Sequence, residues 1–277
     1  MRIIKWLFLV LVLTVLLSAC SVVSLNTAEK KNDFTLATWN IGHYSNGVKS
    51  YSTIDITTDK QILDRYRSFL YKTISPDIIA INEYSKEYYK DKEGQRHLSS
   101  EELFDGFRWR IEGPQEMGIC NALFSNFILT NNVKENIFYY SKSQKNVKSD
   151  ERTSNRENYF MESEFVWKGQ PIKIVIVHLL FSRNVSGVYQ QAQIRELIDR
   201  YSQYERIIIC GDWNTGNYKL LKEAGFTLAN NGKIVTFPSK NYPLDNIAVK
   251  GLKISEVQAI PTDLSDHYPL VCKISLE

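Results

Sequence analysis

Cysteine is scarce, with four in 277 residues. Beyond Cys20 there are only Cys120, Cys210 and Cys272, and no pair has metal-ligand spacing, which argues against a thiolate-held metal centre. Cys210 and Cys272 lie in strand-like runs, so buried free thiols are the expected state, although the sequence does not exclude a disulfide. Charge of one sign is also missing. The net charge is +3, and Arg2 and Lys5 near the N-terminus supply two of those positives. The nearly neutral body that remains has no general field for capturing nucleic acid, so any polyanion would have to meet a local patch. Histidine is down to four residues, widely separated, unlike the close spacings of common zinc sites. No internal repeat, low-complexity tract or convincing linker follows residue 33, so residues 34–277 read as one domain.

Long apolar runs are missing as well, apart from Trp6 to Leu17, interrupted only by Thr14. That run falls short of the roughly 20 residues needed to span a bilayer. After the positive Arg2 and Lys5 it has the layout of a secretory signal. Its close, Leu17-Ser-Ala-Cys20, resembles the lipobox of bacterial lipoproteins, where the Cys becomes the lipid-bearing first residue. Residues 1–19 are therefore expected to be a signal peptide, Cys20 a lipidation site, and 20–33 a polar tether. The protein would be extracytoplasmic and anchored to a membrane. An uncleaved anchor, or an ordinary signal cut near Ala19, is the alternative.

What is present is a series of strand-like runs that deliver polar groups. Ile207 to Cys210 is apolar and stops at Gly211, and Asp212 and Asn214 follow. A short run of this kind is how a strand buried on both faces looks on reaching the sheet edge. Alone, Asp212 and Asn214 could simply build a turn. The same layout recurs, however. Phe34 to Ile41 delivers Asn40, Asp77 to Tyr84 delivers Glu83, Ile172 to Leu180 delivers His178, and Leu264 to Val271 carries Asp266 and His267. Between them, residues 62–74 have helical spacing that Pro76 stops, and Gln190 to Tyr201 and Lys219 to Ala224 read as helices. Ser100 to Phe104 opens a short helix. Phe107 to Ile111, Ile119 to Leu129, Asn136 to Tyr140 and Tyr159 to Trp167 read as strands, and Leu244 to Val249 as a further run. Residues 84–100 read as irregular. The mixture predicts an α+β chain of mixed sheets covered by helices.

Carboxylates without thiolates suit a hard cation such as Mg²⁺ or Mn²⁺, and amides and imidazoles beside it are what a phosphate group needs. The ordered set Thr38-Trp-Asn-Ile41, Ile79-Ala-Ile-Asn-Glu83, Val177-His-Leu179, Gly211-Asp-Trp-Asn214, Leu244-Asp-Asn-Ile247 and Ser265-Asp-His267 resembles the endonuclease/exonuclease/phosphatase superfamily, from Phe34 to Ile274. The resemblance implies a four-layer α/β/β/α sandwich, two mixed β-sheets packed face to face with helices outside. It also implies that Glu83 binds the metal with Asn40 beside it and Asp266 completing the site. Asp212 would orient or deprotonate the attacking water, and Asn214 would hold that water or a phosphate oxygen. His178 and His267 would donate to the phosphate, and Asp245 would fix the tautomer of His267. Two departures leave the substrate open: no basic residue or aromatic flanks Asp245, and Gln190 stands where an Arg is common.

The expected activity is Mg²⁺-dependent hydrolysis of a phosphodiester, with nucleic acid favoured because Ser141 to Asn158 carries Lys142, Lys145, Lys148, Arg152 and Arg156. That run could equally be a solvated face. A phospholipid, sphingomyelin or sugar phosphate is the rival substrate, and a non-catalytic binding module the rival class. Substrate choice would fall to residues 42–58, 84–100, 141–158 and 182–188. A monomer is the expected state.

Overall fold

The computed structural model describes residues 31–42, 56–84, 87–90, 96–114, 119–138, 159–181 and 188–277. The expected signal segment, Cys20, most of the expected tether and the basic run 141–158 lie outside them. The strands are β1 (Phe34–Asn40), β2 (Ile78–Tyr84), β3 (Glu87–Lys90), β4 (Arg96–Ser99), β5 (Trp109–Glu112), β6 (Cys120–Ser125), β7 (Thr130–Ile137), β8 (Tyr159–Trp167), β9 (Gln170–His178), β10 (Ile207–Asp212), β11 (Thr227–Leu228), β12 (Asp245–Lys250), β13 (Leu252–Ala259) and β14 (Leu270–Leu276). The α-helices are α1 (Ile56–Ser68), α2 (Ser100–Leu103), α3 (Val188–Tyr201) and α4 (Lys219–Glu223).

One six-stranded sheet runs β13-β14-β1-β2-β6-β5 and the other β11-β12-β10-β9-β8-β7, with β3-β4 as a separate ribbon. Both are mixed: β1 pairs with β2 in parallel and β9 with β10 in parallel, while the remaining pairs are antiparallel. The alternation of side chains along each strand sorts the apolar residues into layers. Phe34, Leu36, Ile78 and Ala80 of the first sheet meet Ile174, Ile176, Ile208 and Cys210 of the second in the central core. Their neighbours Ala37, Trp39, Ile79 and Ile81 face outward to Tyr66, Leu70 and Ile74. On the other side Val175, Val177, Ile207 and Ile209 face Ile194, Leu197 and Tyr201 of α3. The result is the expected helix–sheet–sheet–helix sandwich. Its three described cysteines are buried and free.

The first helix continues past Ser68 as a wider π-turn, Phe69–Ile74, and ends with Ser75 in the left-handed region, its N–H on the Leu70 carbonyl. Pro76 then stops it, as the sequence predicts. No helix among the described residues is long and apolar enough to cross a membrane.

Several boundaries differ from the sequence reading. The run Ile119 to Leu129 ends as a strand at Ser125, whose hydroxyl accepts the Phe127 N–H and turns the chain. The next strand is Thr130–Ile137, not Asn136 to Tyr140. It is an exposed edge rich in Asn, Lys and Glu, so it lacks the apolar alternation that marks a buried strand. Residues 84–100, read as irregular, contain the β3–β4 ribbon. The edge strand β13 escaped notice for the same reason as β7, since most of it is exposed or half-buried. Residues 264–269 form a loop, and the strand there begins only at Leu270.

Candidate active site

The parallel pairs β1/β2 and β9/β10 end on the same edge of the sandwich, where side chains can project from a rigid backbone into a cleft. In the second sheet, one rung aligns His178, Asp212 and Asp245, which are direct register partners across β9, β10 and β12. In the first sheet Asn40 is aligned with Asn82, and Glu83 follows. Gly211 makes the rung possible. Its φ is +141°, and a Cβ there would lie 1.9 Å from the Val177 carbonyl oxygen, so β9 and β10 can approach this closely only without a side chain. Two non-glycine residues of the cleft, Glu83 (φ +54°) and Asn214 (φ +47°), sit in the left-handed region, where backbone strain gathers at functional sites.

The side chains converge on Asp212, which is 1% exposed. Its Oδ2 accepts from Asn40 Nδ2 at 3.1 Å, and the same amide donates to Glu83 Oε1 at 3.3 Å. His178 Nε2 lies 3.7 Å and His267 Nε2 3.8 Å from that same Oδ2. These separations are too long for direct hydrogen bonds and leave both imidazoles aimed at a shared point. Oδ1 of Asp212 accepts the Asn214 backbone N–H at 2.8 Å. Glu83 Oε1 stands 4.0 Å from His178 Nε2.

His267 is held from behind. Its Nδ1 is 2.8 Å from Asp245 Oδ2, and both groups are buried. Burial alone would lower the imidazole pKa. The Asp245 carboxylate, with Asp212 and Asp266 nearby, outweighs that and pushes it up to about 10. Burial raises the Asp245 carboxyl, and the facing imidazole pulls it back. The pair therefore keeps its proton through neutral pH, with Nδ1 as the donor. Around it, the Trp39 indole donates to the His267 carbonyl at 3.0 Å, and the Ser265 hydroxyl donates to the Asn40 carbonyl at 2.7 Å while accepting the His267 N–H. The Phe237 ring packs 4.8 Å from the imidazole, centroid to centroid.

All the site residues read from the sequence within the described chain gather here. Asp266 neighbours His267, with Oδ1 3.4 Å from the Ser265 hydroxyl. Asn214 departs from its expected part. Its Nδ2 donates to the Leu179 carbonyl at 2.8 Å, which makes it first a strut between β10 and the exit of β9. The sequence assigned no part to Thr236, whose hydroxyl accepts the Asp245 N–H at 2.9 Å, or to Gln190 and Gln193, which grip the carbonyl and N–H of Leu180. Gln190 had drawn notice only as a departure from an Arg, and the i, i+3 spacing of the two glutamines on α3 was the other available signal.

The donor set suits a hard divalent cation. Four carboxylates, Glu83, Asp212, Asp245 and Asp266, crowd the cleft, and no Lys or Arg among the described residues forms an ion pair with them. Asp212, Asp245 and His267 offer ligand atoms within 4.8 Å of one another, which is a possible metal-binding group. Within that trio Nδ1 of His267 is taken up by Asp245, which leaves Nε2 as the ring nitrogen facing Asp212.

No protein-family model matches the sequence. Two relatives, the UPF0294 proteins VV2535 and VV1_1880 of Vibrio vulnificus strains YJ016 and CMCP6, are each 33% identical over 118 residues, 39% of this chain and 41% of theirs. The match thus spans about two-fifths of the length of these curated relatives. Among solved structures, an endonuclease/exonuclease/phosphatase protein from Beutenbergia cavernae is similar with a TM-score of 0.61 and 16% identity, over 89% of this chain and 72% of that one. TDP2 from D. rerio, solved with a single-strand DNA product, is similar with a TM-score of 0.59 and 13% identity, over 88% of this chain and all of the other. The human Nocturnin catalytic domain is similar at 0.57 and 16%, over 90% and 96%. The chain has the endonuclease/exonuclease/phosphatase fold, with its polar groups gathered on the edge where the parallel strand pairs of both sheets end.

Proposed function

We propose that the protein is a phosphoesterase that uses Mg²⁺ or Mn²⁺ to hydrolyse a phosphodiester by in-line attack of water. The observation that carries this reading is the convergence of Asn40, His178 and His267 on one oxygen of Asp212, with Glu83 one amide away. Glu83, with Asn40 and Asp266, would hold the cation. When bound, the cation supplies positive charge to a phosphate oxygen and lowers the cost of the developing negative charge.

The remaining work falls to the side chains. Asp212 is an acceptor surrounded by donors, placed to orient a water and take its proton. His178 and His267 present N–H groups towards the oxygens that gain charge in the transition state, where fixed donors act most strongly. Asp245 keeps the proton on Nδ1 of His267 and so keeps the ring turned towards the cleft. The second N–H of the Asn214 amide would serve the water or a phosphate oxygen while the first stays on the Leu179 carbonyl.

Nucleic acid is the favoured substrate. The basic run 141–158 would provide the local patch that the neutral body lacks, and TDP2, solved with a DNA product, has the same fold. The cleft lies at the Asn40 end of β1, while any tether joins at the Phe34 end, about 20 Å of strand away. A lipid head group is the rival substrate, because a tether over residues 20–33 is long enough to span that distance. The test is hydrolysis of a chromogenic phosphodiester, DNA, RNA, phospholipid and sugar phosphates with Mg²⁺. Activity is expected on the diesters, to vanish with chelator, and to fall by at least ~10³-fold in Glu83→Gln, which keeps shape but removes a charge. Full activity in excess chelator would refute the metal requirement.

A further inference from the structure

We infer that Asn82 is a positioning residue, whose carboxamide locks the strands carrying Glu83, His178 and Asp212 into one frame. Its kinetic consequence rests on the phosphoesterase reading above. Asn82 is completely buried. Its Oδ1 accepts the Asp212 backbone N–H at 2.8 Å. Its Nδ2 donates to the Val177 carbonyl at 2.9 Å and to Asn121 Oδ1 at 2.8 Å. A backbone N–H only donates and a carbonyl only accepts, so these partners fix the orientation of the amide without ambiguity.

Asn82 immediately precedes Glu83, its partner Val177 immediately precedes His178, and its other backbone partner is Asp212 itself. A single side chain thus reaches, within one residue, three cleft groups that belong to two different sheets. Apart from Asn40 on Asp212 and Asn121 on the Tyr159 carbonyl, the facing sheets meet mainly through apolar packing, which is non-directional and tolerates sliding. A buried amide does not, because displacement would leave its donors or acceptor unpaired in a dry interior.

The backbone at Asn82 points the same way. The register of β2 against β6 jumps from Ile81↔Ala122 to Tyr84↔Cys120, a bulge containing Asn82 and Glu83. Bulges re-aim side chains, and a left-handed glutamate persists only where its surroundings over-determine it. The hydrogen bonds of Asn82 provide that constraint one residue before the strained position. Asn121 extends the brace away from the cleft, donating to the Tyr159 carbonyl at 3.2 Å.

Asn82→Leu and Asn121→Leu separate the frame from mere stability. Both delete the same buried amide–amide contact, but only the first releases Asp212 and Val177. In the full-length protein, Asn82→Leu is expected to lower kcat on a chromogenic phosphodiester at least ~30-fold with KM within ~3-fold, while Asn121→Leu keeps kcat within ~3-fold of wild type. A second readout needs neither metal nor substrate. Hydrogen exchange at the Asp212 amide, measured against Ile209, should accelerate at least ~10-fold in Asn82→Leu and stay unchanged in Asn121→Leu. Should Asn82→Leu not fold, Asn82→Ser is read by the same two measurements. Equal kinetic losses in the two variants, or an Asp212 amide as protected as in wild type, would overturn the inference. A wild-type protein inactive on every phosphodiester would instead refute the functional reading, and the exchange result would still decide the frame.

Discussion

Asp245 and His267 meet through one 2.8 Å contact in a site with no water-facing alternative for either. Asp245→Asn keeps the shape but can present an amide hydrogen where Nδ1 also carries one, turning or repelling the ring. The expected result is a fall in kcat on the order of 10²-fold with KM altered much less. His267→Ala should be at least as severe and the double variant little worse, because groups acting as a unit are not additive. Steady-state kinetics on the three variants decide it, and multiplicative losses would show the two residues acting independently. His267 was legible as an imidazole just before an apolar strand in the Ser265-Asp-His267 motif, whereas Asp245 was legible only through the resemblance that Leu244-Asp-Asn-Ile247 carries. Asn82 was not. It stood inside a recognised motif, yet an amide in a strand looks the same whether it braces two sheets or faces solvent. Asn214 was legible as a site residue, but its bond to Leu179 was not, since nothing local announces a contact 35 residues away.

Buried strands such as β9 and β10 were plain in the sequence because their outward and inward faces are both apolar, which few other segments can be. The exposed β7, the β3–β4 ribbon and β13 were hidden because an edge strand needs no apolar pattern to form. The sheet under α3 also carries a polar cluster that the sequence did not suggest. Lys173 on β9 is buried and bonds Glu162 and Glu164 on β8 at 3.1 and 3.2 Å. Burial would raise the carboxyl pKa of Glu164, but hydrogen bonds from Asn131 and Lys173 hold it below the usual 4.5. A carboxylate with a depressed folded value stabilises the fold above its unfolded value and loses that contribution as pH falls through the folded one. Metal-free protein should therefore lose stability as pH is lowered from above 4.5 through the depressed value, followed by thermal unfolding. Lys173→Met is expected to be less stable at neutral pH, because two carboxylates lose their partner, and to show a shallower loss on acidification. An unchanged acid slope would mean the cluster adds nothing to the pH dependence.

At the scale of the whole molecule, the anchor expected at Cys20 and the basic run 141–158 lead to two expectations. Cys20→Ser should leave unlipidated protein outside the membrane fraction, and unchanged lipid labelling of that variant would refute the anchor. Reversing Lys142, Lys145 and Lys148 to Glu should weaken DNA cleavage, and reduce its steep dependence on salt, while a small chromogenic phosphodiester is cleaved as before. Equal losses on both substrates would show that the segment acts through the cleft itself. The order of strands also bears on how the protein is made. β1, which brings Asn40, lies between β2 and β14, and its register with β14 pairs Phe34 with Ile274. The first strand of the domain to leave the ribosome therefore waits for the last before its second edge is covered, and Asp266 and His267 are among the final residues to arrive. A chain still open along the middle of that sheet has its cleft residues apart, and they come together only when β14 closes against β1.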